Sequence, residues 1–303
     1  MSSVDPGESV AAFQLETAPA RGRIARLGAS TIDAILRRHA YPRPVALLLG
    51  EALALAALIG SLAKFQGRVT LQAEGDGPVR LLVAEYRTDG GLRGYARISD
   101  EAAATITAQH ALSPAALIGE GALTLTIDQG PDTDQMQGVV PLEGDTLAAC
   151  AEAYFERSEQ TPTRIRLAVV EEVSPGVGGV WMAGGILLQR IAGDVARGDV
   201  EEGWRTSVIL FDTVTDAELA DRALSPDRLL YRLFNEVGVR LAPAGPLSDF
   251  CPCDRERLAA VLRGYAADEL AGFAEADGLI HARCQFCARV YLLDPNDLAA
   301  PLT

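Results

Sequence analysis

Lysine is almost missing from these 303 residues. Lys64 is the only one, so arginine supplies nearly all the positive charge. No Gly-Lys-Ser/Thr ending occurs, which removes the P-loop phosphate cradle and ATP-driven work through it. Positive charge is short altogether, with 27 Lys and Arg against 41 Asp and Glu. The resulting net charge of −14 argues against nucleic acid as the main partner, because phosphate binding needs a positive field. Histidine is scarce too: His39, His110 and His281 are the full set. None lies in a motif that would activate Cys150 or a serine, and no G-x-S-x-G elbow exists, so no catalytic triad and no enzyme activity are expected. His39 and His110 read as surface or capping residues. An apolar leader is also absent from the acidic start (MSSVDPGE), so the expected location is the cytoplasm.

What is present is a core. Nearly half of the residues are hydrophobic, enough for two domains or one domain with a small appendage. The run 45–63 (VALLLGEALALAALIGSLA) approaches the length of a membrane span. Glu51 lies inside it and Gly50 and Gly60 interrupt it, so it reads as a buried or interfacial helix, not a span.

Short aliphatic and β-branched runs at 23–27, 69–73, 79–86, 123–127 and 164–170 read as strands. Gly75-Asp76-Gly77 and Asp89-Gly90-Gly91 are turn signals between them, and Gly130-Pro131-Asp132 is a loop. Helices are expected at 31–39, after Pro44 and at 146–158. Gly176-Val177-Gly178 is no dinucleotide fingerprint, because Trp181 stands where a third glycine is needed; a flexible sheet-associated turn fits better. The expected class is α+β: an N-terminal mixed sheet with packed helices over 1–193, a helical linker over 194–250 and a small zinc-binding module over 251–303.

The linker region mixes charges with large apolar residues. Ser225-Pro226 fits an N-cap with Pro at N1, opening a helix to about Glu236 that puts Leu229, Leu230, Leu233, Phe234 and Val237 on one face. Residues 241–248 (LAPAGPLS) read as a connector. The segment is either static packing or a marginal element whose apolar face is covered in one state and exposed in another.

Four cysteines close the chain as Cys251-Pro252-Cys253 and Cys284-Gln285-Phe286-Cys287, around a helix at about 255–270 and a hairpin at 279–283 and 290–293. Two close thiol pairs can converge on one tetrahedral S4 site, which suits Zn²⁺, or less readily an iron–sulfur cluster. Arg255, Arg257, His281, Arg283 and Arg289 lie near enough in sequence to offset the thiolate charge. A module this small needs the metal to hold its fold. Cys150, within an apolar helical stretch, reads as a buried inert thiol. On spacing alone the site is a fixed staple or a switch. A thiol oxidoreductase using Cys284 and Cys287 would need a βαβ setting, which is missing here.

Beyond the thiols, Tyr41-Pro42 leading to Leu48-Leu49-Gly50-Glu51, Lys64-Phe65, MQGVVPL at 136–142, YFERSEQTPT at 154–163, GGILLQRIAG at 184–193 and the CxC/CxxC order resemble the heat-shock protein 33 family, the redox-regulated 33 kDa chaperonins of bacteria. The resemblance spans about 13–297. Pro252 is its departure, since small polar residues are more usual between the first two thiols. The resemblance implies an ATP-independent holdase, not acting on nucleic acid or at a membrane. It implies one Zn²⁺ on Cys251, Cys253, Cys284 and Cys287 in the reduced state. Oxidation then gives Cys251–Cys253 and Cys284–Cys287 disulfides, metal release and a homodimer. Unfolding polypeptides are the implied partners, with Trp204, Leu229, Leu230, Leu233 and Phe234 as a possible client surface. A constitutive zinc-ribbon interaction module without switching is the alternative.

Overall fold

Period-two alternation builds the first element of the computed structural model, which describes residues 7–99, 106, 113–130, 133–174, 178–192 and 199–299. Strand β1 (Ser9–Leu15) turns Val10 to one side and Ala11, Phe13 and Leu15 to the other, all buried. β2 (Ala20–Leu27) follows, then an irregular helical run at 29–39 in place of the single helix expected there. Pro44 opens helix α1 (Arg43–Gly60). Strands β3 (Arg68–Gly75), β4 (Val79–Arg87) and β5 (Gly91–Ile98) form a meander through the two glycine turns. Helix α2 (Pro114–Ile118), strands β6 (Gly121–Asp128) and β7 (Met136–Pro141) and helix α3 (Leu147–Ser158) come next. Then come strands β8 (Thr163–Ser174) and β9 (Gly178–Arg190), helices α4 (Val200–Phe211), α5 (Asp216–Ala220) and α6 (Pro226–Phe234), and strands β10 (Val239–Leu241), β11 (Gly245–Pro246) and β12 (Ser248–Asp249).

These strands form two six-stranded sheets. One runs β10-β1-β2-β9-β8 with β11 also on β1; the other runs β12-β5-β4-β3-β6-β7. Helix α1 packs against β2, β8 and β9 of the first sheet and β3, β4 and β5 of the second, so its apolar run is interior to the fold. Contact is close enough to dictate glycine: a Cβ on Gly60 would meet the Tyr86 ring at 2.2 Å, and one on Gly50 would meet Val169 at 2.9 Å. This answers the membrane question raised by 45–63. The helix is long and apolar enough to cross a bilayer, but most of it is buried by protein.

Glu51 is the cost of that placement. Burial first, and Asp216 second, push its carboxyl up to about 7. The folded state therefore keeps a proton that the unfolded chain releases near pH 4.5, so stability falls as pH rises between those values. Glu51→Gln removes this dependence. It is expected to stabilise the chain at pH 8 by at most about 3 kcal/mol and to change little at pH 4.5, read by denaturant unfolding at both pH values.

The outer face of the first sheet carries a second core. Phe13, Leu15, Ile24, Ile186 and Leu188 pack there with Phe211, Leu219, Leu229, Leu230, Leu233 and Phe234 from helices α4–α6. Residues 241–248 are not a plain connector. β10 and β11 pair with β1, β12 runs parallel to β5, and Leu247 is fully buried. Asp249 ends the stretch in an ion pair with Arg38.

The molecule divides into two compact units, Met1–Asp249 and Phe250–Thr303. In the second, the helix expected at about 255–270 is two: α7 (Arg255–Leu262) and α8 (Ala267–Gly272). Hairpin strands β13 (Ile280–Arg283) and β14 (Val290–Leu293) and helix α9 (Pro295–Ala299) complete it. Among the described residues its buried core is Ala259, Leu270, Ile280, Leu293 and Leu298, with Leu258, Leu262 and Ala282 packed against it.

Candidate metal centre

Both thiol pairs sit where backbone turns aim sulfur inward. Cys251-Pro252-Cys253 precedes α7, whose N-cap Asp254 accepts from the Arg257 amide at 2.8 Å. Cys284 and Cys287 occupy the β13–β14 turn, closed by Cys284 N–H to Arg289 O and Ala288 N–H to Cys284 O, both 2.9 Å, with Ala288 left-handed at φ 57°. The four sulfurs lie within 4.8 Å of one another. Two contacts cross between the pairs: Cys251 Sγ to Cys284 Sγ at 3.7 Å and Cys253 Sγ to Cys287 Sγ at 3.3 Å.

A tetrahedral S4 site with metal–sulfur bonds of about 2.3 Å needs sulfurs about 3.8 Å apart. The cluster matches that, and its all-thiol donor set is soft. These four residues can hold one metal ion.

The thiols differ. Burial, ahead of the neighbouring sulfurs, pushes Cys251 up, and Cys287 is raised in the same way. Burial also opposes ionisation of Cys253, but hydrogen bonds from Tyr291 and the other thiols outweigh it and hold Cys253 below the ordinary thiol range. Tyr291 ties the halves together: its hydroxyl donates to Cys253 O at 3.0 Å and lies 3.3 Å from Cys253 Sγ. Tyr291 stands across the hairpin from Ala282, with Ala288, Arg289 and Val290 between it and the last thiol.

Of the five cations expected near the site, Arg257 and Arg289 reach it. Arg257 donates to Pro252 O at 3.2 Å and Arg289 to Tyr291 Oη at 3.4 Å. His281 is turned to Asp277 at 2.8 Å, so it answers carboxylates instead of sulfur. Arg255 approaches Glu256 at 4.0 Å. Cys150 is buried on α3, as expected, and desolvation raises its thiol. His39 is half-buried, its ring tilted against Tyr41 at 5.2 Å, so it is not the surface residue expected. His110, Pro131, Asp132, Gly176 and Val177 lie outside the described residues.

In the first unit, the possible client surface is covered. Leu229, Leu230, Leu233 and Phe234 are buried, Trp204 is half-buried against them, and the Phe234 ring stacks on Phe13 at 5.9 Å. Ser225 stands at the N-cap of α6 without a side-chain cap bond. A residue unmarked in the sequence holds this segment down. Arg26, buried on β2, donates to the carbonyls of Asp221, Glu218 (3.0 Å) and Leu224 (2.7 Å). Nothing in the sequence separates it from Arg21 and Arg23 on the same strand.

Residues 8–294 match the family model described as Hsp33 protein. The chain belongs to the Hsp33 family. A 33 kDa chaperonin of Caulobacter vibrioides is 53% identical over 288 residues, covering 94% of each chain. One from Serratia proteamaculans is 36% identical over 292 residues, covering 96% of this chain and 94% of the relative. The crystal structure of the 33 kDa chaperonin (heat shock protein 33 homolog) of Thermotoga maritima has 25% identity and a TM-score of 0.76, with 96% of each chain covered. An Hsp33 assignment carries a chaperone role, not an enzyme class, and with it unfolded polypeptides as clients. The α+β class expected from the sequence agrees with that neighbour.

Proposed function

We propose that this chain is a redox-regulated, ATP-independent holdase of the cytoplasm, silent when reduced and active when oxidised. The observation that carries this reading is the convergence of four thiols in a unit with five buried apolar side chains. Cys251, Cys253, Cys284 and Cys287 would hold one Zn²⁺, which when bound supplies the cross-linking that so small a core lacks. Peroxide oxidises two thiols to one disulfide and is itself reduced to two waters. The proposed pairs are Cys251–Cys253 and Cys284–Cys287, each formed at the expense of two ligands.

The output is the segment 199–241, whose apolar side chains are covered in the reduced chain. Its release uncovers Leu- and Phe-rich surface that captures unfolding proteins, and a homodimer of the oxidised chain extends that surface. In domain terms, 1–193 is the chaperone core, 194–250 the responsive linker and 251–303 the sensor. Light scattering of a heat-unfolded client checks this. Peroxide-treated protein that has lost zinc should suppress aggregation several-fold better than reduced protein. Equal suppression by both would favour a constitutive zinc-ribbon interaction module.

A further inference from the structure

The face beneath helices α4–α6 has a charge pattern of its own. Alternation along β2, β8 and β9 places Arg26, Arg164, Arg166 and Arg190 on the same side as Ile24, Ala168, Ile186 and Leu188. β1 adds Phe13 and Leu15 and no charge. The only acid of matching parity on these strands is Glu172, at the hairpin end of β8. An apolar strip edged by four arginines is thus built into a chain of net charge −14.

Every one of those arginines is occupied by the segment above. Arg190 pairs with Glu201 at 2.5 Å, Arg166 with Asp216 at 3.1 Å and Arg164 with Asp212 at 3.2 Å, while Arg26 takes three carbonyls; Arg164 alone also keeps a partner outside the segment, Glu152 of α3 at 3.2 Å. The segment matches in composition: residues 199–241 hold nine acidic and five basic side chains. Its apolar stripe, Leu229, Leu230, Leu233 and Phe234, fills the strip between. Arg26 retains an unused donor even so, because its Nε is buried with no partner among the described residues.

We propose that this face, vacated by its own segment, selects acidic amphipathic stretches of unfolding polypeptides, with Asp or Glu flanking a helically spaced apolar stripe. The inference rests on the proposed holdase reading and names the client chemistry for it. The covering segment is an internal example of the ligand. A client carboxylate at Arg26 can engage Nε and Nη together, a bidentate geometry that the carbonyls do not supply. Net charge alone gives the opposite preference, since a chain of −14 attracts basic peptides non-specifically. The local arginines therefore have to dominate, and the two ideas separate cleanly.

Two labelled peptides with the Leu/Phe spacing of α6, one flanked by Glu and one by Lys, are titrated by fluorescence anisotropy. The proteins are the peroxide-treated full chain and reduced Leu230→Asp/Phe234→Asp, in which the segment is displaced without oxidation. The expected result is about tenfold tighter binding of the Glu peptide to both proteins. The difference should close near about 0.5 M salt, and Arg164→Glu/Arg166→Glu should abolish or reverse it. Equal affinity or a preference for the Lys peptide overturns the inference, as does failure of the displaced variant to bind either peptide while its β2 and β9 amides stay protected from exchange. Preference for the Glu peptide in the displaced variant alone upholds the inference and counts against the thiol switch.

Discussion

Phe234→Asp is expected to make the chain a chaperone without oxidation. Phe234 is fully buried, stacked on Phe13 within the second core. Loss of the ring alone costs about 3–5 kcal/mol, and an ionised carboxylate left in that apolar setting adds to it. The first sheet does not have to yield, because its other face is held by α1 and the main core. The segment 199–241 can yield. It is fastened by partly exposed ion pairs worth about 0–1 kcal/mol each and by Arg26. Reduced Phe234→Asp should therefore suppress client aggregation at least half as well as peroxide-treated wild type, with zinc retained. Tyr231→Asp on the exposed side of the same helix should behave as wild type, since Tyr231 is 68% exposed. A reduced Phe234→Asp that opens α6 to exchange yet captures no client would place the client surface elsewhere.

Cys284→Ser carries the other large effect. With five small or medium apolar side chains buried, the second unit has little besides its four-thiol cluster to hold it. A structural zinc site of this kind contributes on the order of 10 kcal/mol to folding, and a hydroxyl is a poor fourth ligand. Bound zinc in competition with a chelator should fall from about one per chain to near zero. Helices α7 and α8 should lose their exchange protection. Cys150→Ser, buried in the first unit, should change neither. Full zinc content in Cys284→Ser would mean that the four sulfurs do not act as one ligand set.

How much of this was written in the sequence depends on where the cause lies. The C-terminal hairpin, the helix after Pro44 and the thiol grouping follow from local signals: turn residues, apolar periodicity and cysteine spacing. β10, β11 and β12 do not, because they are two or three residues long and exist through pairing with β1 and β5. The helix at 255–270 divides before Gly264 and resumes at Ala267, where the Ala266 amide is capped by Glu269 at 2.9 Å. Arg26 was invisible since its partners lie almost two hundred residues away, at Glu218, Asp221 and Leu224. His281 bonds to Asp277, four residues back along the chain, and that carboxylate raises the imidazole. Pro252, between the first two thiols, contributes its carbonyl to Arg257.

The most direct test of the link between thiols and chaperone surface is amide hydrogen exchange across α6, on one sample before and after peroxide. Before treatment, the Leu229–Phe234 amides should be protected like those of β2 and β9. After disulfide formation and zinc loss, α6 should exchange about a hundredfold faster while β2 and β9 keep their protection. Unchanged protection of α6 in a chain whose disulfides have formed and whose zinc has gone would contradict the switch.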